Sequence, residues 1–298
     1  MKSLEELYTI SGILVDNNED GYADDLKGYV VLDEDSSLVE KEIAVNLCGR
    51  LGYETMGLDL PIVKVGKDLE YLDGTNIYLN PGFFQYDLED NKSLIRLESS
   101  NNHNFVVFSA GSEKSLIYGG EYLYSKFPYV WNVKKDCIKL DAIKEDIMSN
   151  IPVLEVNIFE MVFDCRYKGI HKLTVELVSD DIAGTAKKLE GLKDKFKWPN
   201  IGQIDFIITD ESDKKIMSVE NEKLEENKLE EIRLQEKEEH SLKDMDISNI
   251  YTLEGLFNDT NEDLLPDELD TKIVIPDDAD DFELIAACNV AACFEYIH

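Results

Sequence analysis

The sequence predicts a mixed α/β fold of the α+β type, in which repeated β-β-α units surround mixed sheets beside a small ferredoxin-like βαβ segment. Short runs rich in Val, Ile, Leu and Tyr alternate with apolar stripes at helical spacing. In addition, residues 7–32 return as residues 250–275, and a constant offset (251 − 8 = 243) aligns the two stretches without a gap. An internal repeat of this kind indicates that one structural unit is present twice.

The first copy begins with two predicted strands, residues 7–15 and 27–32, joined by an acidic turn of Asp, Asn and Gly. Ser36 or Ser37 then caps a helix, and Glu40 is placed to close a capping box. An apolar stripe at helical spacing follows, and its members are Val39, Ile43, Leu47 and Leu51. The matching stripe of the second copy consists of Phe282, Ala286, Val290 and Phe294. Each unit is therefore expected to start β-β-α.

The rest of the first copy adds short strands and a second helix. The strand candidates are residues 60–65, 76–79, 93–97 and 104–108. Ser112 caps a helix that extends to about Lys126, and Pro128 stops it because proline cannot continue a helix. This alternation of strands and helices assigns residues 1–135 to the first α/β unit.

The middle of the chain has a strand-helix-strand pattern. A short helix over 136–150 and an imperfectly alternating strand over 155–163 precede strand 172–178, helix 181–196 and strand 201–208. Residues 136–219 are therefore interpreted as a ferredoxin-like or split βαβ sandwich.

Two further segments complete the predicted organisation. Residues 220–246 form an acidic linker, either a solvated helix or a tether, and residues 247–298 are an incomplete second copy of the repeat. A β-β-α piece alone leaves an apolar face uncovered, which is unfavourable. The second copy could dock on the first, or the natural protein could continue beyond residue 298, and of these two alternatives we expect continuation, so that residues 1–298 are part of a longer protein.

The net negative charge of the chain makes some classes of binding partner unfavourable. The chain has 30 basic and 63 acidic residues, a formal net charge of −33. Such a surface repels phosphates and anionic lipid, so neither nucleic acid nor a membrane is an expected partner, whereas a cation or a basic or neutral partner suits it. The acidic N-terminus lacks the apolar core of a signal peptide, so a cytoplasmic location is expected. The odd set of five cysteines, without a Cys-x-x-Cys, predicts core thiols.

The acidic turn of the first copy has the spacing of a calcium loop. Asp16, Asn18 and Asp20 supply oxygen at positions 1, 3 and 5, Gly21 makes the turn at position 6, and Asp24 stands at position 9. At position 12, however, Lys27 replaces the bidentate glutamate.

The second copy departs differently from the calcium pattern. It keeps Asp259, Asn261, Asp263 and Asp267 and has an acid at position 12, but Leu264 replaces the glycine. Both turns resemble the Asp-rich calcium loops of EF-hand and dockerin-like modules over about twelve residues. Calcium is accordingly the one cofactor expected, and the alternative is a tight acidic hairpin with solvated carboxylates.

The sequence contains no recognisable catalytic motif, so it leaves open whether the protein is an enzyme. Its four histidines are far apart, and it has no P-loop, Gly-x-Ser-x-Gly or Gly-x-Gly-x-x-Gly. Tyr129 and Trp131 follow a helix rich in aromatic residues and are candidates for a carbohydrate platform. A protein ligand is the other candidate.

Residues 76–131 resemble a known accessory domain. A strand, an extended pair containing Phe105-Val-Val-Phe-Ser-Ala-Gly-Ser112, and a helix ending in Tyr-Ser-Lys-Phe-Pro-Tyr129-Val-Trp131 are similar to the non-catalytic α/β domain of β-hexosaminidases and α-glucuronidases. The resemblance implies an accessory domain of a larger hydrolase.

Two hypotheses about function follow. The first is a non-catalytic, modular binding or scaffolding region that a cation stabilises. The second is the N-terminal accessory part of a large glycosidase or peptidase whose catalytic domain lies beyond residue 298.

Overall fold

The dominant element of the fold is a nine-stranded mixed sheet. The computed structural model describes residues 1–66, 72–84, 86–100, 103–131, 137–193, 195–210, 213–227, 257–258, 268–269 and 273–295. Fifteen strands and five α-helices are described within these ranges. The α/β class expected from the sequence is confirmed.

The strands and helices have the following bounds. The strands are β1 (Leu14–Val15), β2 (Asp25–Leu26), β3 (Val30–Leu32), β4 (Val63–Val65), β5 (Ile77–Leu79), β6 (Lys92–Ser100), β7 (His103–Ala110), β8 (Tyr129–Trp131), β9 (Cys137–Lys139), β10 (Glu155–Asp164), β11 (Ile170–Val178), β12 (Ile201–Thr209), β13 (Lys214–Glu220), β14 (Phe257–Asn258) and β15 (Glu268–Leu269). The α-helices are α1 (Leu38–Tyr53), α2 (Glu113–Glu121), α3 (Leu140–Asn150), α4 (Ile182–Leu192) and α5 (Asp281–Glu295). No helix in the described part of the chain combines the length and the apolarity that a membrane crossing requires.

The nine strands have the order β13-β12-β11-β10-β6-β7-β5-β3-β4. Strands β7, β5, β3 and β4 are parallel to their neighbours within that group, and β11 is parallel to β12. The predicted strand-helix-strand of residues 172–208 is present as β11, α4 and β12. Strands β6 and β10 pair in an antiparallel manner, from Arg96 opposite Glu160 to Lys92 opposite Asp164. This pairing joins the strands on both sides of the predicted domain boundary at 135/136 into one sheet. The division into units stays a prediction.

A bulge in β10 explains why its sequence alternates imperfectly. Ile158 pairs with Val175 but Glu160 pairs with Thr174, so Phe159 is an extra residue that shifts the faces of the strand. Val156 and Ile158 before the bulge, like Met161 and Phe163 after it, are all buried in the main core. Ser3 supports the bulge, since its hydroxyl accepts a hydrogen bond from the Ile158 N–H at 2.7 Å.

Helix α1 begins where the sequence predicts. The Ser37 hydroxyl accepts a hydrogen bond from the Glu40 N–H at 3.3 Å, and the Glu40 carboxylate accepts one from the Ser37 N–H at 2.5 Å. This capping box satisfies two of the N–H groups that a helix start leaves unpaired. The buried side of the helix includes Ile43 and Leu47, which pack in the core between the helices and the sheet.

The C-terminal stretch has a strand pair and a helix at the positions given by the predicted repeat. Strands β14 and β15 pair with each other so that Phe257 lies opposite Leu269. Strands β1 and β2 pair in the same way, and there Leu14 lies opposite Leu26. Both residues of the first pair lie 243 positions after those of the second, and α5 begins 243 positions after α1. Helix α5 packs against α1. This contact is between two helices, and the repeat to which the sequence assigns them stays a prediction.

Candidate functional site

The acidic turn between β1 and β2 is closed by hydrogen bonds to its own carboxylates. The two oxygens of Asp16 accept hydrogen bonds from the N–H groups of Asp20 at 3.2 Å and of Gly21 at 2.8 Å. The side-chain oxygen of Asn18 accepts a second hydrogen bond from the Asp20 N–H at 2.9 Å. Gly21 has a φ of +91°, a conformation in which a side chain would be strained. The residues at positions 1, 3, 5 and 6 are thus brought together.

Asp24 closes the turn from its other end. One of its carboxylate oxygens accepts hydrogen bonds from the N–H groups of Asn17 at 2.8 Å and Asn18 at 3.2 Å. The Asp24 N–H donates to the Val15 carbonyl at 2.7 Å, which continues the pairing of the two strands. Backbone donors therefore satisfy part of the negative charge of the turn without an ion.

The base of the turn carries a lysine instead of an acid. The Lys27 ammonium donates to the Ile10 carbonyl at 2.6 Å. An open depression of about 470 Å³ lies here, and it is lined by Ile10, Leu14, Val15, Asp16, Glu19, Gly21 and Lys27. Within the described ranges, no three His, Cys, Asp or Glu side chains form a group that could hold a metal ion. The second set of predicted ligands, Asp259, Asn261, Asp263 and Asp267, lies outside the described residues.

Two buried carboxylates on the sheet are paired with cations. Asp164, whose side chain is fully buried, accepts from the Lys92 ammonium at 2.8 Å and from the Arg166 guanidinium at 2.6 Å. Desolvation acts to raise the pKa of Asp164, but these hydrogen bonds outweigh it and hold that pKa well below its usual range. Such a paired carboxylate does not accept a proton near neutral pH.

Glu160 has a similar environment on the neighbouring part of the sheet. Its carboxylate lies 3.1 Å from both Lys172 and Arg96 and accepts a hydrogen bond from Thr174 at 3.1 Å. Each of these cations also lies near a second carboxylate, Lys172 at 3.9 Å from Asp205 and Arg96 at 2.8 Å from Glu98. Glu160 therefore belongs to a network of alternating charges on the sheet.

The cysteines and the aromatic residues also have structural surroundings. Cys48, Cys165 and Cys288 are buried free thiols. Burial is the main cause that raises the pKa of Cys48, and the neighbouring Cys288 thiol is the second cause. Tyr129, one of the two candidates for a carbohydrate platform, is partly buried, with the Lys139 ammonium 5.0 Å from its ring centre. The side chain of the other candidate, Trp131, lies outside the described residues.

Helices α1 and α5 approach each other closely through small residues. A Cβ added to Gly52 would lie 2.1 Å from the carbonyl oxygen of Ala292. Cys48 lies beside Cys288 in the same contact, and Ala287 and Ala292 are buried. Because small residues occupy this contact, the two helix backbones come into near contact.

On the opposite face of α5, large apolar side chains are exposed, and no described residue covers them. Phe282 is 82% exposed and Val290 42% exposed, and Ala286 between them is exposed as well. These three residues are called the α5 stripe. The positions that the 243-residue offset aligns with them, Val39, Ile43 and Leu47, are at most 9% exposed in α1. The same apolar pattern is therefore buried in one helix and open in the other.

Carboxylates lie at one end of the α5 stripe. Asp277, Asp278, Asp280, Asp281 and Glu283 are all exposed, and they are called the acidic rim. Asp280 and Glu283 also cap the helix, because each carboxylate accepts a hydrogen bond from the N–H of the other residue, at 2.9 Å and 3.0 Å. Helix α5 itself contains no Lys, Arg or His.

The helical spacing of Phe282, Ala286 and Val290 predicted the α5 stripe, but it did not predict that these side chains are exposed. A helix that is apolar around most of its circumference requires two partners, and one of them is α1. Apolarity on both sides of α5 was the available signal that a second partner is needed.

No protein-family model matches the chain, and no curated protein matches it either. Function is therefore inferred from the chain's own residues.

Proposed function

We propose that the chain is a non-catalytic binding or scaffolding protein that presents the α5 stripe to a protein partner. The observation that supports it is the exposure of Phe282, 82%, at a position aligned with Val39, which is 9% exposed. Soluble proteins rarely leave an extended apolar patch rimmed by charge open, and such patches mark interaction sites. Helix α1 positions the stripe by holding the opposite face of α5.

Burial of the α5 stripe by a protein partner is energetically favourable. Burying one large apolar side chain contributes about 1.5–3 kcal/mol, so Phe282 and Val290 together contribute enough for a weak complex. The close contact between Gly52 and Ala292 fixes the helix that carries them. A rigid helix face binds with a smaller loss of conformational entropy than a loop does.

The test is affinity capture on immobilised full-length chain in three forms: wild type, Phe282→Asp, and the control Ile216→Asp. Ile216 is 61% exposed on β13, the edge strand opposite β4, so it offers a matched apolar side chain elsewhere. A protein held in fixed stoichiometry by wild type and control, and lost from Phe282→Asp, would support the proposal. Equal capture by all three forms would overturn it, as would turnover of glycoside, peptide or ester substrates.

A stabilising calcium ion at the acidic turn is proposed as a second property. It is supported by the spacing of Asp16, Asn18, Asp20 and Asp24 and by the positive φ of Gly21, the position at which a calcium loop turns. The carboxylates of Asp16 and Asp24, which accept backbone hydrogen bonds in the described turn, would have to reorient toward the ion. Calcium should raise the melting temperature of wild type at millimolar concentration, and Asp16→Asn should reduce this shift. Magnesium serves as the control ion, because its smaller octahedral shell fits such loops less well. No shift with calcium would end this proposal.

The alternative of a hydrolase accessory domain has support at the level of secondary structure. The described order of β5, β6, β7 and α2 agrees with the outline of the domain that residues 76–131 resemble. Catalytic activity in a longer form of the protein, with none in residues 1–298, would favour this alternative.

A further inference from the structure

We infer that the partner of the α5 stripe is a basic amphipathic helix. This inference rests on the proposed binding function and adds the chemistry of the partner. Three features of the described residues carry it: the way α1 is covered, the charge of the acidic rim, and the size of the stripe.

The cover of α1 shows which element fits such a stripe. Ile43, the α1 residue aligned with Ala286, packs against α2, where a Cβ added to Gly120 would lie 2.6 Å from the Ile43 side chain. A helix with a small residue at the crossing point therefore covers this apolar pattern within the same chain. The aligned residues of α5, the α5 stripe, form a similar surface against which a second helix can pack.

The acidic rim selects the charge of that helix. Its five carboxylates lie within seven residues at the Phe282 end of the stripe, and α5 itself contains no basic residue. Lys41 of α1 lies beside the rim, since its ammonium donates to the Ala279 carbonyl at 2.7 Å, but five carboxylates outnumber this one cation. Lysine or arginine beside the apolar face of a partner would meet these carboxylates, and opposite charges across an interface raise the association rate and select the partner. The rim thus favours a basic helix over a neutral or acidic one.

The same charge disfavours a second copy of the chain as the occupant. Each copy has a formal net charge of −33, so self-association brings like charges together. A twofold contact through α5 would also add a second acidic rim to the first. An oligomer is therefore an outcome of the test and not the expected state.

The stripe sets the length and strength of the contact. Phe282 and Val290 are eight residues apart, about 12 Å along a helix. Two to three turns of a partner helix, with apolar residues at i, i+4 and i+7, cover that distance. A contact of this size belongs to the transient class.

The experiment measures fluorescence anisotropy of labelled peptides with the full chain. The probes are a designed 18-residue Leu/Lys amphipathic helix, a scrambled peptide of identical composition, and a Leu/Glu helix. The proteins are wild type, Phe282→Ser, Val290→Ser, the double variant Asp277→Asn/Asp278→Asn, and the control Ile216→Ser. All five substituted side chains are exposed, and Asp277 and Asp278 are not the helix-capping residues.

Wild type and Ile216→Ser should bind the Leu/Lys helix at least tenfold more tightly than the scrambled peptide. Phe282→Ser should weaken that binding by about tenfold, because the contact of one buried aromatic side chain is lost. The double Asp variant should weaken it by a few-fold and should show a shallower dependence on salt. The Leu/Glu helix should not bind measurably.

Equal affinity for the scrambled peptide, or no effect of Phe282→Ser, would overturn the inference, since binding would then be non-specific attraction to an acidic protein. A dimer in sedimentation that Phe282→Ser abolishes would also overturn it and would assign the stripe to a second copy. If Phe282→Asp still loses a captured protein while the basic helix fails to discriminate, the binding function stands and only the basic-helix inference falls.

Discussion

Gly52 on α1 and Ala292 on α5 lie so close that the two helix backbones are in near contact. A Cβ at position 52 would be 2.1 Å from the Ala292 carbonyl oxygen and 2.8 Å from its Cα. Both obstructing atoms belong to the backbone, so no rotation of a flexible side chain relieves the clash. The separation of the two helices is therefore set by the absence of one side chain.

Gly52→Ala should destabilise the protein even though alanine favours a helix. The clash with α5 should cost about 1–3 kcal/mol, as overpacking typically does. The matched control is Gly191→Ala in α4, where an added Cβ meets nothing within 4 Å. Alanine there should stabilise by about 0.5–1 kcal/mol. Urea denaturation measures both changes, and hydrogen exchange of α5 amides locates the first. Equal stabilisation by both substitutions would contradict the packing of α5 on α1.

Tyr118→Phe should destabilise the junction between α2 and the loop before β11. The Tyr118 hydroxyl donates to the Tyr167 carbonyl at 2.8 Å and accepts from the Gly169 N–H at 3.1 Å. Removing it leaves both backbone groups without this partner, which costs about 1–3 kcal/mol. Tyr22→Phe, at a side chain 66% exposed, is the control and should have little effect. The denaturation midpoints of the two variants check this, and equal midpoints would contradict it.

The same tyrosine should resist ionisation. Burial raises the pKa of Tyr118 to about 12. An absorbance titration should show that wild type retains one more protonated tyrosine than Tyr118→Phe when the exposed tyrosines have ionised. Loss of an early-titrating tyrosine in the variant would count against this burial.

Asp164→Asn should make the protein less stable at pH 7 and less sensitive to acid. Because the folded-state pKa of Asp164 lies below the unfolded value of about 3.9, its stabilisation is complete above that pH and is lost as the pH falls through the folded pKa. Replacing the carboxylate weakens its bonds to Lys92 and Arg166, at a cost of about 1.5–3 kcal/mol. The urea midpoints of wild type and variant should therefore differ at pH 7, begin to converge only below about pH 4 and continue to approach each other as the pH falls further.

The control for this pH profile is Asp59→Asn, since Asp59 is an exposed carboxylate. Its midpoint should follow wild type at every pH. A gap between wild type and Asp164→Asn that stays constant down to the lowest pH would show that the carboxylate contributes through shape and not through charge.

Features that depend on neighbouring residues in the sequence were predictable. The capping box of Ser37 and Glu40 and the helix that follows depend on contacts within one turn, so local pattern suffices. The pair β11 and β12 with α4 between them was also evident from the order of apolar runs. The acidic turn was located by spacing alone, and its hydrogen bonds agree with a tight turn around Gly21.

Features that depend on distant parts of the chain were not predictable in the same way. The pairing of β6 with β10 joins residues some 64 positions apart, such as Arg96 and Glu160, and no local signal records it. The bulge at Phe159 appeared in the sequence only as faulty alternation. The exposure of Phe282 depends on which side of α5 meets α1, and both sides are apolar.

Helices α1 and α5 meet with a shift of about one turn. Cys48 meets Cys288 and Gly52 meets Ala292, and both pairs are 240 residues apart (288 − 48 and 292 − 52), not 243. Each α1 residue thus meets a residue three places before its own aligned position in α5. The two helices also have unequal surroundings, because Ile43 is buried against α2 whereas the aligned Ala286 is exposed. Substitutions on α5 can alter recognition while α1 preserves the core.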